Sequence, residues 1–337
     1  MRHVLDTLIT ALERGRPAVL CAIVRSSGSA PRTSGARMVV LEDGLIAGSV
    51  GGGLLEAQCQ RMASELFHGP RHFAELDFKL TAASAAEAGM ACGGSATVLL
   101  QRVEPEALSL LRQLRDDFLG GRRPLLLTVL PAAGQGPQLM LMTHEEHGDI
   151  PAELRLEIGH KGRRAPFLLQ WQEREVFVEP LVHPGTVHLA GAGHVALAVA
   201  RLAAFVGFEV VVMDDRADFA SRERYPEARE VRVLDSFAHC VDSLGQDDYL
   251  VIVTRGHLHD RDVLSQALRS EAGYIGMIGS RRKRAAVYDS LREEGMGDAD
   301  LARVHCPIGL AIDADTPEEI ALSIVAELVQ QRARMAT

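Results

Sequence analysis

The strongest restriction on the fold comes from one continuous unit between residues 187 and 214. An apolar run at 187–190 leads directly into the turn GAGHVA at 191–196, and an apolar helical pattern leads to a second apolar run ending at Asp214. The first glycine permits a tight turn, the second lets backbone N–H groups approach a phosphate, and the small residue at 196 lets the helix pack on the strand. The residues predicted to contact a ligand here are Gly191, Gly193, His194 and Asp214.

Asp214 follows the second glycine at the distance where an acidic side chain usually bonds a ribose hydroxyl. Further apolar runs at 249–253 and 274–278 alternate with helical patterns, which predicts parallel βαβ units. We therefore predict a Rossmann-type doubly wound parallel-sheet domain. A tight βα turn that binds nothing stays open as the alternative.

Domain organisation follows from a change of pattern at His183-Pro184-Gly185. Before it, strands and helices alternate irregularly, and the stretch 145–180 has the pattern of further β structure. We predict an N-terminal α/β domain with a mixed sheet at 1–183, and the dinucleotide-binding domain at 184–337.

Composition excludes several classes of function. The 337 residues carry a net charge of −9, which argues against general affinity for nucleic acid or anionic membranes. We expect no signal peptide and no membrane span, because charged residues interrupt the apolar stretches. Five scattered cysteines do not suggest a disulfide framework, so a reducing cytoplasm is expected.

The first domain contains a second glycine-rich turn at a helix start. Gly51, Gly52 and Gly53 offer backbone N–H groups to an anion, and Arg32 and Arg37 lie on the preceding segment. Glu56 falls in the first turn of the helix. It is interpreted as a ligand contact, with a role in complementing the helix dipole as the alternative.

Cys92 differs from the other cysteines, because glycines surround it in the sequence GMACGG. This placement exposes the thiol and predicts a reactive or sulfur-handling cysteine as a candidate catalytic residue, with a buried turn thiol as the alternative. Three cysteines share stripes with apolar residues and are predicted to be core residues: Cys21, Cys59 and Cys240.

Two more candidates follow strands of the second domain. His257 and Asp260 belong to a polar cluster after the run at 249–253, where such sheets bind ligands. Gly279, Ser280 and Arg281 follow the next run and form a capped, cationic helix start that suits an anion, with a capped helix and a solvated basic face as the alternative. No C-x-x-C or H-E-x-x-H pattern is present, so no metal site is predicted.

Taken together, these motifs resemble the XdhC/CoxI family, the accessory proteins of xanthine dehydrogenase and related molybdenum hydroxylases. The residues that carry the resemblance are Gly28–Arg32, Gly35–Met38, Gly48–Gly53 with Glu56, Cys92–Gly94, Gly191–Val195, Asp214 with Arg216, Thr254 with His257 and Asp260, Tyr274–Gly276, Gly279–Arg281, Pro307–Leu310 and Thr316–Ile320. Two positions depart from the family. Arg255-Gly256 stands where many members have His-Asp, and Ala91 stands where some have a second cysteine.

The resemblance implies a factor that binds the molybdenum cofactor, as molybdopterin or its dinucleotide form, and supports its sulfuration and insertion. The implied partners are the hydroxylase apoprotein, a cysteine desulfurase and a second copy in a homodimer. Such a chaperone has no turnover of its own. Two rival hypotheses stay open: an NAD(P)-dependent oxidoreductase that uses the second domain, and a nucleotide-sensing regulatory module.

Overall fold

The computed structural model describes residues 1–28, 34–79, 94–132, 134–143, 150–161, 165–181, 184–241 and 243–335. The chain divides into two compact units, Met1–His183 and Pro184–Thr337. They are called unit 1 and unit 2 below.

Unit 1 contains a five-stranded antiparallel sheet in the order β3-β2-β1-β5-β4. Its strands are β1 (Ala18–Gly28), β2 (Arg37–Val40), β3 (Ile46–Gly48), β4 (Phe73–Lys79) and β5 (Gly94–Val103). Two helices bury apolar stripes against this sheet: α1 (Arg2–Glu13) and α2 (Gly53–His68). The stripe of α2 includes Leu55, Cys59 and Leu66, at the spacing that a helix needs to turn one face to the core.

A second antiparallel sheet in unit 1 has the order β7-β6-β9-β8. Its strands are β6 (Leu125–Val129), β7 (Gln138–Met142), β8 (Phe167–Trp171) and β9 (Arg174–Pro180). Two further helices among the described residues of this unit are α3 (Leu108–Leu119), before β6, and α4 (Ala152–Lys161), between β7 and β8. Arg37 on β2 and Glu179 on β9 form an ion pair between the two sheets, with both side chains 3% exposed.

Unit 2 is a six-stranded parallel sheet in the order β12-β11-β10-β13-β14-β15. The strands are β10 (Thr186–Ala190), β11 (Glu209–Asp214), β12 (Glu230–Val233), β13 (Asp248–Ile252), β14 (Tyr274–Met277) and β15 (Val304–His305). The helices are α5 (His194–Phe205), α6 (His257–Ala267), α7 (Arg281–Glu293), α8 (Asp298–Leu301) and α9 (Pro317–Met335). Apolar clusters lie on both faces of the sheet, which explains why its strands are nearly continuous apolar runs.

The predicted fold class is confirmed: an α/β unit precedes a Rossmann-type parallel sheet. In detail, every strand pairing described in unit 1 is antiparallel, so neither of its described sheets is mixed. The prediction of β structure throughout 145–180 is wrong at α4. Only Leu154 and Ile158 of the described side chains of this helix are buried, one turn apart, and so short a stripe gives little helical periodicity. Among the described residues, no helix is long and apolar enough to cross a membrane.

Candidate ligand-binding turns

The first turn of unit 2 requires glycine at position 191. Gly191 has a φ of +112°, and its N–H donates to the carbonyl of Met213 at 2.8 Å. A Cβ added here would lie 2.5 Å from the carbonyl oxygen of Val253, in the loop after β13. The loops after β10 and β13 therefore touch at the point where the strand order reverses, which is where such sheets form their crevice.

Gly193 is placed differently, although it belongs to the same turn. It is the N-cap of α5, and a Cβ built on it would meet no described atom within 4 Å. His194, the first helical residue, is exposed. The described residues thus leave space beside Gly193 at the start of α5, as a phosphate cradle requires.

The carboxylate of Asp214 at the end of β11 is buried and fully hydrogen-bonded. Its Oδ1 accepts from the backbone N–H and Nε of Arg216, at 3.0 and 2.8 Å. Its Oδ2 accepts from the N–H of Ala192 and Nη2 of Arg216, at 2.7 and 2.9 Å. Burial raises the pKa of Asp214, but these hydrogen bonds outweigh burial and leave the pKa lowered.

Arg255, one of the departures from the family pattern, pairs with the neighbouring Asp215. Its Nη2 lies 2.7 Å from Oδ2 of Asp215. The two residues follow β13 and β11, which lie on either side of β10. The pair therefore links the loops that flank the first glycine turn.

Asp260 lies inside unit 2 rather than on its surface. It is fully buried, its Oδ1 accepts from the hydroxyl of Thr254 at 2.6 Å, and its Oδ2 pairs with the ammonium of Lys283. Lys283 also donates to the carbonyl of Ile278 at 3.2 Å. Asp260 thus joins the turns before α6 and α7, whereas His257 is exposed at the start of α6.

The turn before α7 has the predicted cap. The hydroxyl of Ser280 accepts from the N–H of Lys283 at 3.3 Å. Ser280 and Arg281 are exposed and Gly279 is half-buried. Lys283, the third of the cations that follow Ser280 in the sequence, pairs with Asp260.

The glycine turn of unit 1 already holds an anion supplied by the chain itself. Oε1 of Glu56 accepts from the hydroxyl of Ser49 at 2.6 Å and from the N–H of Gly52 at 2.9 Å. The N–H of Gly51 donates to the Ser49 hydroxyl at 3.1 Å. Glu56 therefore caps its own helix. This contact corresponds to the alternative role, in which Glu56 complements the helix dipole. A phosphate at this turn would have to replace a carboxylate.

Arg37 is placed where it cannot serve the glycine turn, because its Nε and a terminal nitrogen donate to Glu179 in the buried pair. Burial lowers the pKa of Arg37 to about 10, which still leaves it charged at neutral pH.

Arg32 and Cys92 lie outside the described residues. Cys21, Cys59 and Cys240 are buried, as predicted, and Cys306 is buried too. Across the described ranges, no cluster of His, Cys, Asp and Glu could hold a metal ion.

The parallel sheet in the order 3-2-1-4-5-6, with an open glycine turn at its switch point, places unit 2 in the class of Rossmann-type folds. Family models match both units: "XdhC Rossmann domain" at residues 187–328 and "XdhC and CoxI family" at 11–77. The chain belongs to the XdhC/CoxI family.

Curated relatives and a solved structure resemble nearly the whole chain. "Molybdenum cofactor insertion chaperone PaoD" of Escherichia coli K12 is 25% identical over 98% of this chain and 88% of its own length. A probable xanthine dehydrogenase subunit of Bacillus subtilis 168 is 27% identical over 98% of both chains. The uncharacterized YqeB of E. coli K12 is 26% identical over 94% of this chain, which spans only 44% of YqeB. A solved structure described as a xanthine dehydrogenase from Bacillus halodurans is 25% identical, with a TM-score of 0.78 over 99% of this chain and 96% of that one.

Proposed function

We propose that this protein is an accessory factor that binds the molybdenum cofactor and supports its sulfuration and insertion into a xanthine dehydrogenase-type hydroxylase. The observation that carries the proposal is the family match in both units, together with the likeness to a molybdenum cofactor insertion chaperone over nearly the full length. Its partners are then the hydroxylase apoprotein and a cysteine desulfurase, and the protein works in the cytoplasm as a homodimer.

The turn at 191–193 is the better of the two glycine turns for the cofactor's phosphate. Gly193 opens to free space, whereas the N–H of Gly52 and the hydroxyl of Ser49 are taken by the Glu56 carboxylate. The cofactor, when bound, would supply a molybdenum centre held by a pterin dithiolene. The backbone at Gly193 and the start of α5 would hold its phosphate. His257, Ser280 and Arg281 remain candidate contacts at the same edge of the sheet.

The experiment that tests this proposal is expression in a host that makes molybdopterin, followed by pterin analysis of the purified protein. The expected result is a stoichiometric pterin and stimulation of hydroxylase activity when the protein is added to the apoprotein and a sulfur donor. A bound nicotinamide without pterin would favour the oxidoreductase hypothesis instead.

Cys92 is proposed as a thiol of unit 1 that acts in the maturation of the cofactor, since thiolates bind soft metal centres. A Cys92→Ser variant is expected to fold normally and to restore less hydroxylase activity in the same assay. The matched control is Cys240→Ser, which should affect stability more than function, because Cys240 is 3% exposed and a hydroxyl is costlier to bury in an apolar core than a thiol. Full reconstitution by Cys92→Ser would remove the thiol from the mechanism.

A further inference from the structure

The acidic residue that ends β11 has no acceptor position left for a ligand. A carboxylate offers about four lone-pair sites. Four hydrogen bonds fill those of Asp214, three from Arg216 and one from Ala192. In a site for NAD, this carboxylate binds the ribose hydroxyls. Here it cannot accept them while the Arg216 pair is intact.

Arg216 is itself held rigidly at this position. Its guanidinium lies 3.7 Å from the ring centroid of Phe219, and Arg224 lies over the same ring at 4.9 Å. The Arg216 side chain is 31% exposed, so solvent or a ligand reaches it. Within the part of the chain that the structure describes, its Nη1 makes no hydrogen bond. A fixed, planar donor group is therefore presented where a ligand's sugar lies in this fold.

The charge around Arg216 also differs from that of a site with a free acidic residue. Asp214 is paired with Arg216, and Asp215 is paired with Arg255. Two carboxylates and two guanidinium groups sum to no net charge. A free carboxylate would repel a phosphate at this position, and this cluster removes that repulsion while keeping N–H donors.

We propose that Arg216 determines the specificity of this crevice and selects a ligand that carries a phosphomonoester at this position over one that offers only a ribose diol. The inference rests on the proposed function insofar as a phosphate-bearing ligand occupies the crevice beside the loops after β10 and β11. Two sources share the chemistry: a phosphate on the sugar of an adenine dinucleotide, and the terminal phosphate of a mononucleotide pterin, which would then lie at Arg216 instead of at the Gly193 turn.

Two measurements on the full chain distinguish these sources. Calorimetric titration compares adenosine 2′,5′-bisphosphate with AMP, and a sugar-phosphate site should bind the bisphosphate on the order of tenfold more tightly. Pterin extracted from protein made in a molybdopterin-competent host is scored as mononucleotide or dinucleotide. A terminal-phosphate site should retain the mononucleotide. Absence of preference in both measurements overturns the proposal.

Variants then test whether Arg216 causes the preference. Arg216→Ala should abolish it, and Arg216→Lys, which keeps the charge without the planar fork, should retain only part of it. Arg201→Ala is the matched control, because this arginine lies on α5 with a 65% exposed side chain and should leave the preference intact. A preference that survives in folded Arg216→Ala also overturns the proposal.

If Arg216→Ala does not fold, the double variant Asp214→Asn/Arg216→Gln replaces both charges by neutral amides and answers the same question. Different results would contradict the specificity of Arg216 and the cofactor-chaperone function. Bisphosphate preference without any bound pterin leaves the specificity of Arg216 standing and contradicts the cofactor-chaperone function. Bound pterin in dinucleotide form, with no preference for the bisphosphate, contradicts the specificity alone.

Discussion

At the scale of single residues, several polar side chains that suggest ligand contacts bind the protein itself instead. Glu56 binds the turn that precedes its own helix, Arg37 binds Glu179, and Asp260 binds Thr254 and Lys283. A sequence shows that a polar residue follows a strand, but a buried polar group requires a partner that only the folded chain supplies. The open positions that remain are glycine backbone and exposed helix starts.

The Arg37–Glu179 pair should contribute strongly to the stability of unit 1. Removing one partner with Arg37→Met leaves a buried, uncompensated carboxylate, and we expect the free energy of unfolding to fall by about 3–5 kcal/mol. Urea denaturation at neutral pH measures this change in the free energy of unfolding.

Two further variants control this measurement. Arg37→Met/Glu179→Leu removes both charges and should recover most of the loss. Arg2→Met breaks an exposed pair with Asp6 and should cost less than about 1 kcal/mol. Equal effects of Arg37→Met and Arg2→Met would contradict the assignment of a structural role to the buried pair.

At the scale of elements, the βα turn after β10 separates two glycines that look equivalent in the sequence. Gly191→Ala places a Cβ against the backbone of Val253 in a left-handed conformation, and we expect a loss of roughly 1–3 kcal/mol. Gly193→Ala has open space and an ordinary φ, so it should cost less than about 1 kcal/mol.

Substitutions in this turn should affect ligand binding in the opposite order, with the larger loss of affinity at Gly193. Gly193→Val should keep the fold and lose affinity for a phosphate-bearing ligand, because the side chain fills the cradle. Thermal unfolding and calorimetry on the variants check both halves of this expectation. If Gly193→Val kept the affinity of the wild-type protein for nucleotides and pterin, the hypothesis that this turn binds no ligand would be favoured.

Glu327 attaches α9 to the edge of the sheet and should make unit 2 sensitive to acid. Its carboxylate accepts from His305 at 2.9 Å, and from the Tyr274 hydroxyl and the N–H of Gly309, both at 2.6 Å. Burial raises the pKa of Glu327, but these hydrogen bonds outweigh burial and lower the pKa below its usual 4.5. The folded state therefore binds the proton less readily than the unfolded state does.

The resulting stability is fully present above the pKa of the unfolded state and is lost as the pH falls through the lowered pKa. We expect Glu327→Gln to flatten the decline in melting temperature below about pH 4.5, compared with Glu318→Gln, an exposed residue of the same helix. Parallel melting curves for the two variants would show that Glu327 does not contribute to the acid response.

At the scale of the whole molecule, the chain is organised as two units divided at residue 183. We predict that each folds by itself, because each has its own apolar clusters. Limited proteolysis should cut between about 180 and 187, and separate expression of 1–183 and 184–337 should yield folded fragments, checked by circular dichroism. Cleavage only elsewhere, with both fragments insoluble, would place the boundary at another position.

Local sequence patterns were sufficient to predict the parallel sheet, its glycine turn and the family. Strand runs and the glycine spacing each require only neighbouring residues to form. The same holds for the capping box at the start of α9, in which Thr316 accepts from the N–H of Glu319 and the Glu319 carboxylate accepts from the N–H of Thr316. Which polar groups remain accessible depends instead on contacts between distant parts of the chain. The N–H of Ala192 meets Asp214 from 22 positions away, Lys283 meets Asp260, and Glu179 lies 142 positions from Arg37. Charge pairing acts through space, so only the folded chain shows that Asp214 is saturated and that Gly193 stays open.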